Sequence, residues 1–106
     1  MMKTYLLAVA IAGFEFSSNT FADSDLMLAR NSGCLACHSI NKKVIGPAWK
    51  DVAAKYKDQP DARAALIAKV MRGGKGNWGQ VPMPPYSPRV SNENISQLVD
   101  FILNLK

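Results

Sequence analysis

Residues 34–38 read Cys34-Leu35-Ala36-Cys37-His38, and the rest of the chain can be related to them. They have the pattern C-x-x-C-H, which is typical of the attachment site of a c-type haem. Two thiols three residues apart, and a histidine four residues after the first thiol, lie on one side of a helical turn. Each thiol can add to one vinyl group of the haem, with His38 under the iron as its proximal ligand. The motif therefore predicts one haem c, covalently attached through two thioether bonds.

Three other interpretations of the motif fit the chain less well. A thioredoxin-like redox pair needs a βαβ setting, but no strand-like run follows residue 22. A zinc site needs four ligands, whereas the chain contains only two Cys and one His. A structural disulfide would leave His38 without a role. Haem attachment is the interpretation that uses all three side chains.

Residues 1–22 have the pattern of a secretory signal peptide. Lys3 supplies a positive charge, an apolar run of ten residues follows, and Ala22 is a small residue suited to cleavage. A retained membrane anchor is the alternative, but the run is shorter than the about 20 apolar residues that span a bilayer. We expect cleavage after Ala22, export to the periplasm, and one domain of residues 23–106 without a membrane span.

Hydrophobic periodicity and helix-ending residues predict four helices and no strands in this domain. The helices are expected at about 24–33, 50–57, 61–72 and 92–105. Three of them begin at residues that can act as N-caps, namely Ser24, Asp61 and Ser91. The third helix has an apolar face of Ala64, Ile67, Val70 and Met71. The last helix carries a wide stripe that we expect to pack on the first helix, formed by Ile95, Leu98, Val99, Ile102 and Leu105.

A long loop from Gly73 to Pro88 separates the third and fourth helices. It is rich in Gly and then in Pro, and such loops in small domains are usually functional. At its centre Met83 lies among prolines, which reduce the conformational entropy lost when a side chain is held in place. Met27 lies in the predicted helix that leads into the motif, so it starts on the same side as His38, and Met71 belongs to an apolar helical face, where core packing is the usual role. Met83 is therefore the predicted second iron ligand, with core packing as the alternative.

Pro47 follows His38 by nine residues, in a Gly-Pro pair. A histidine that ligates a metal usually donates its other ring N–H to a carbonyl, and the carbonyl of Pro47 is a candidate acceptor. A plain turn is the alternative. The spacing leaves both interpretations open.

The chain is basic, with 13 Lys and Arg against 8 Asp and Glu, and a net charge of +5. The basic residues are scattered and not gathered in a stripe with aromatic residues, so we predict no nucleic-acid partner. A modest positive charge suits an acidic protein partner. A solvated surface is the alternative explanation for most of these charges.

The domain resembles the small bacterial class I cytochromes c of the c-551/c-552 type. The resemblance covers essentially all of residues 23–106 and rests on five segments: 33–38, 44–48, 51–56, 78–79 and 81–85. It implies an all-α, monohaem cytochrome c fold of about four helices wrapped around the haem, with His38 and Met83 as axial ligands. It also implies that Pro47 accepts the His38 N–H, and that Lys69 and Trp78 lie near a haem propionate.

The resemblance further implies a monomeric electron carrier, not an enzyme, whose iron cycles between Fe(II) and Fe(III). Its partners would be redox proteins: a donor such as a quinol-oxidising complex, and an acceptor such as a reductase, oxidase or peroxidase. A haem enzyme or a gas-sensing module with a displaceable Met ligand is the alternative. An enzyme would need an open iron position and a polar pocket, but the one histidine is already used and the Met83 loop is apolar.

The sequence departs from the family pattern after Pro85. The family often has an amide residue there that hydrogen-bonds the Met sulfur, whereas this chain has Tyr86, followed by what look like extra residues at 87–89.

Overall fold

Four α-helices build the part of the chain that the structure describes. The computed structural model describes residues 20–106, together with Thr4 and Gly13. The elements, in order, are α1 (Thr20–Asn31), a 3₁₀ turn (Cys34–Ala36), α2 (Trp49–Tyr56), α3 (Ala62–Arg72) and α4 (Asn92–Leu103). Within these residues strand pairing is limited to two isolated bridges, His38 with Lys43 and Gly74 with Met83. The predicted all-α class is confirmed.

The first helix begins and ends earlier than its apolar pattern predicted. Ser24 does not cap α1, because the helix already begins at Thr20 and Ser24 lies inside it; Asp23 supplies a favourable negative charge in the first turn. At the other end, Gly33 has a φ of 85°, the left-handed conformation that ends helices and that glycine adopts without strain. The predicted signal peptide, residues 1–22, lies almost entirely outside the described residues.

The third helix differs from the prediction in its cap and in one residue of its apolar face, since Ile67, Val70 and Met71 pack against the core as predicted. Asp61 occupies the N-cap position, but its side chain makes no capping hydrogen bond because its backbone is already near-helical, with φ −88° and ψ −3°. Ala64 is exposed. Ala62 is the buried residue at the start of α3. Leu66, one turn later on the same face of the helix, packs against the core.

The fourth helix is the central element, since it contacts each of the other three. Its predicted N-cap is confirmed: the Ser91 hydroxyl accepts a hydrogen bond of 3.2 Å from the Asn94 N–H. Its apolar stripe is also confirmed, with Ile95, Leu98 and Val99 buried. The expected packing on α1 occurs, and the breadth of the stripe lets α2 and α3 pack on α4 as well.

The apolar core is divided into two clusters. The first, here called the His38-side cluster, contains Ala29, Cys34, Trp49 and Leu98. The second, here called the Met83-side cluster, contains Tyr86, Val90, Ile95 and Val99, with Met83 packed against it. Because Leu98 and Val99 are consecutive in α4, this helix contributes to both clusters and joins them.

Candidate haem site

A cavity of about 210 Å³ lies between the two clusters. The His38-side cluster contributes Cys34, Trp49 and Leu98 to its lining, and the Met83-side cluster contributes Tyr86 and Val99. Packed protein interiors rarely contain voids much larger than a water molecule. A cavity of this size at the centre of so small a core is therefore suited to a bound group.

All seven residues predicted for the site line this one cavity: Cys34, Cys37, His38, Pro47, Lys69, Trp78 and Met83. They come from five different parts of the chain, namely the 3₁₀ turn and its exit, the following loop, α3, and two positions in the 73–91 loop. The structure thus brings the predicted set together, while the roles of its members stay predictions.

The C-x-x-C-H segment forms a tight turn directly after α1. The backbone N–H groups of Cys37 and His38 both donate to the Cys34 carbonyl, at 3.2 and 3.0 Å. This turn directs both cysteines and the histidine to the same cavity, as the spacing predicted. The two cysteines are free thiols, and burial raises the pKa of the Cys34 thiol.

The ring of His38 is oriented by a hydrogen bond. Its Nδ1 lies 2.8 Å from the carbonyl oxygen of Pro47. Because a carbonyl oxygen can only accept, this bond requires the proton to be on Nδ1, and in the neutral imidazole that tautomer leaves a lone pair on Nε2. The interaction expected between these two residues is therefore present, and it leaves the other nitrogen available to bind a metal.

Two further residues restrict the position of the His38 ring. The indole of Trp49 stacks on the imidazole, with ring centroids 5.7 Å apart and an angle of 26° between the planes. Gly46 packs so closely that a Cβ at this position would lie 2.5 Å from Cε1 of the ring. The loop that carries Gly46 is itself fixed, because the Gly46 N–H donates to the Cys37 carbonyl at 2.7 Å. The histidine ring is therefore held before any ligand is bound.

Met83 is held by its backbone. Met83 and Gly74 exchange two hydrogen bonds, from Met83 N–H to Gly74 at 2.8 Å and from Gly74 N–H to Met83 at 3.0 Å. Three residues later, the Tyr86 N–H donates to the carbonyl of Val70 in α3 at 3.0 Å. The loop around Met83 is thus fastened to the end of α3, so the thioether enters the cavity from a defined position.

The outer part of the same loop is fastened to α2. The Lys55 ammonium donates to the Asn77 carbonyl at 3.0 Å and lies 4.5 Å from the centre of the Trp78 ring. Trp78 remains 42 % exposed while it lines the cavity. The Lys55 contact combines a charged hydrogen bond with a cation–π interaction.

Sequence reasoning missed Trp49, Lys55 and Arg89 as contributors to this region. Trp49 is the first residue of α2, and this position carries no local sign of a stacking role. Lys55 reaches Trp78 across 23 positions in the sequence, which no local pattern reveals. Arg89 belongs to the extra residues after Tyr86, and that departure from the family pattern was the one available signal.

Comparison with known proteins identifies the family. The family model for cytochrome c matches residues 27–106, which is most of the chain. The chain belongs to the cytochrome c family. The predicted resemblance is therefore confirmed, and with it the small class I fold.

Individual relatives agree with this assignment. Cytochrome c-551 of Allochromatium vinosum is 53 % identical over 93 residues, which cover 85 % of this chain and 98 % of the relative. Cytochrome c-551 of Pseudomonas aeruginosa is 40 % identical over 106 residues, covering 99 % of this chain and all of the relative. The crystal structure of Nitrosomonas europaea cytochrome c552 superposes with a TM-score of 0.72 at 48 % identity, covering 76 % of this chain and 99 % of that one.

The cofactor of this cytochrome is haem c, which the family binds covalently. The residues around the cavity fit such a group, because two thiols, one free imidazole nitrogen and one thioether line it together. Relatives of this cytochrome are small electron carriers that work with redox partners. Among the described residues, no helix is long and apolar enough to cross a membrane.

Proposed function

We propose that this cytochrome is a periplasmic, monomeric electron carrier, made with a signal peptide of residues 1–22 and matured as residues 23–106. Its haem c would be held by thioether bonds to Cys34 and Cys37, with His38 and Met83 as axial ligands. The observation that carries the proposal is that His38 and Met83 line one cavity, each beside a different apolar cluster and each with a fixed backbone.

Bound haem c supplies a one-electron Fe(II)/Fe(III) couple at this site. The chain would hold the His38 ring in one position in both oxidation states, because the hydrogen bond to Pro47 and the Trp49 ring restrict it. Prolines on both sides of Met83 restrict the other ligand. Little reorganisation of the protein would then accompany each electron transfer.

The propionates of the haem would lie toward Lys69 and Trp78. Both residues line the cavity, and Lys69 folds toward Gly74 beside the Met83 loop. An ammonium and an indole N–H are both hydrogen-bond donors, which suits them to a carboxylate. The partners proposed are redox proteins: a donor such as a quinol-oxidising complex and an acceptor such as a reductase, oxidase or peroxidase.

An absorption spectrum of the oxidised holoprotein tests the ligand assignment. We expect a low-spin spectrum with the weak charge-transfer band at the red end of the visible range that accompanies methionine bound to haem iron. Met83→Leu should abolish this band, whereas Met71→Leu should keep it, because Met71 packs in the same cluster but does not line the cavity. A high-spin spectrum of the parent protein would contradict the electron-carrier proposal and favour a haem enzyme or a gas-sensing module.

The covalent attachment has its own test. The denatured holoprotein should retain its haem through extraction with acidic acetone, because thioether bonds survive this treatment. Replacement of His38 should abolish the normal holoprotein, since the chain contains no other histidine. Release of free haem from the parent protein would contradict the assignment of Cys34 and Cys37.

A further inference from the structure

The residues that depart from the family pattern form a turn beside the haem cavity. The turn runs from Tyr86 to Val90 and is closed by a hydrogen bond of 2.9 Å from the Val90 N–H to the Tyr86 carbonyl. It is fastened to α3, because the Ser87 N–H donates to the Met71 carbonyl at 3.2 Å. Neither hydrogen bond involves a predicted haem ligand, so the proposed haem ligation does not explain why the chain forms this turn.

This turn folds Arg89 back over the ring of Tyr86. The guanidinium carbon lies 5.0 Å from the ring centroid, which is the distance of a cation–π contact. Tyr86 is only 6 % exposed and belongs to the Met83-side cluster. The buried Tyr86 ring has little freedom to move. Its contact with the guanidinium therefore fixes the position of the Arg89 charge, although the Arg89 side chain is exposed.

Tyr86 also connects Arg89 to the cysteine side of the cavity. Its side chain lines the cavity together with Cys34 and Cys37. Burial raises the pKa of Tyr86, and the Arg89 guanidinium acts in the opposite direction. The charge of Arg89 is therefore held against a side chain that itself lines the cavity.

We propose that Arg89 tunes the midpoint potential of this cytochrome by holding a permanent positive charge beside its haem cavity. The inference rests on the electron-carrier function proposed above. Reduction adds one electron from a donor redox protein and lowers the net charge of the site by one unit, with no bond made or broken and no proton moved. A fixed positive charge nearby favours the state with less positive charge, so Arg89 stabilises the reduced form.

Midpoint potentials of three variants test this role. Arg89→Gln should shift the potential to a more negative value, and Arg89→Lys should keep most of the parent value because it retains the charge. The matched control is Arg63→Gln, which makes the same change of net charge on α3. Arg63 is bonded to Asp100, which does not line the cavity, whereas Arg89 lies over Tyr86, which does. The shift of Arg63→Gln should be smaller than that of Arg89→Gln.

Ionic strength separates a charge effect from a structural one. The difference between Arg89→Gln and the parent should shrink as salt rises, since counterions screen an exposed charge. An unchanged potential, an equal shift in Arg63→Gln, or a shift that salt leaves unaltered would each overturn the role of Arg89. A parent protein that cannot be reduced and reoxidised reversibly would instead refute the proposed function itself.

Discussion

His38 shows how single residues prepare the site. Its Nδ1 is committed to Pro47, its ring is stacked on Trp49, and Gly46 lies against it without a side chain. Each contact removes freedom that a metal ligand would otherwise lose on binding. The free Nε2 is therefore presented to the cavity in a prepared orientation.

Gly46→Ala should disturb the ligand side of the cavity. The new Cβ would lie 2.5 Å from Cε1 of His38, so either the ring or the loop must move. Overpacking of this kind costs about 1–3 kcal/mol. We expect a lower free energy of unfolding in denaturant titrations, together with shifted NMR signals of the His38 ring in the holoprotein.

Gly33→Ala is the control for this substitution. A Cβ on Gly33 meets no protein atom within 4 Å, but its φ of 85° is unfavourable for alanine. This variant should therefore lose stability without shifting the His38 signals. If Gly46→Ala left both the stability and the His38 signals unchanged, the close packing against the ring would have no energetic importance.

The loop between α3 and α4 depends on anchors at both of its ends. Its inner part is fastened to α3 through the bond from Tyr86 to Val70, and within the loop Gly74 pairs with Met83. Its outer part is linked to α2 by Lys55, through Asn77 and Trp78. A segment with so many exposed residues would otherwise open easily.

Lys55→Met should loosen the outer part of this loop. The substitution keeps a long apolar side chain but removes the hydrogen bond to Asn77 and the cation–π contact with Trp78. A cation–π contact at an exposed site is worth about 0.5–1 kcal/mol. The Gly76 amide, which bonds to the Gly79 carbonyl, should then exchange its hydrogen about two- to fivefold faster by NMR.

Lys57→Met is the matched control, because it removes one charge two residues further along without affecting the loop contacts. Its exchange rates at Gly76 should equal those of the parent. Equal rates in Lys55→Met as well would show that the loop is held by its inner anchors alone.

An ion pair joins α3 to α4 on the surface. Arg63 donates two hydrogen bonds to the carboxylate of Asp100, at 2.7 and 3.1 Å. The hydrogen bond from Arg63 is the main reason that the pKa of Asp100 is lowered from its ordinary value. Folded-state stability from this pair is therefore present above the unfolded-state pKa of about 3.9 and is lost as the pH falls through the lower folded-state value.

Asp100→Asn should make stability less dependent on pH in the acid range. We expect a small loss of stability near neutral pH, since both side chains are about half exposed and such pairs contribute little. As the pH falls below about 4, the free energies of unfolding of the variant and of the parent should converge. Thermal unfolding between pH 3 and pH 7, at low and high salt, measures this difference; a gap that widens in acid would contradict the assigned sign.

The distribution of charge matters for the molecule as a whole. The chain carries a net charge of +5, and Lys42 and Lys43 lie in the loop that runs between the C-x-x-C-H turn and Pro47. The same loop exposes two apolar side chains, Val44 and Ile45. Small apolar contacts with charged rims suit transient redox complexes, in which the charges act mainly on the association rate.

Electron transfer to an acidic redox partner should therefore depend on ionic strength. As the Debye length falls from about 30 Å at 0.01 M to about 3 Å at 1 M salt, the bimolecular rate should decrease by about tenfold or more. Stopped-flow measurements with the double variant Lys42→Glu and Lys43→Glu should show a flatter dependence. The control is a second double variant, Lys57→Glu and Lys106→Glu. If the rate changed neither with salt nor in either double variant, charge would not guide docking.

The sequence by itself determined the features whose chemistry is local. C-x-x-C-H places three groups on one turn through spacing alone, and Ser91 caps α4 through a contact three residues away. The helix pattern and the proline-bounded Met83 depend likewise on near neighbours, and all seven predicted residues do line one cavity. The start of α1 was predicted wrongly, because a helix end depends on which competing residue completes the first turn. On α3, Ile67, Val70 and Met71 pack against the core as predicted, and only Ala64 of the predicted face is exposed.

Only the tertiary structure decided how distant segments meet. The core is divided because α4 packs on three helices at once, which leaves a cavity between two apolar clusters. The link from Lys55 to Trp78 and the placement of Arg89 over Tyr86 depend on where whole loops are fastened. Such contacts have no periodic signal in the sequence, since each forms only after the helices have packed and fixed the positions of the backbone.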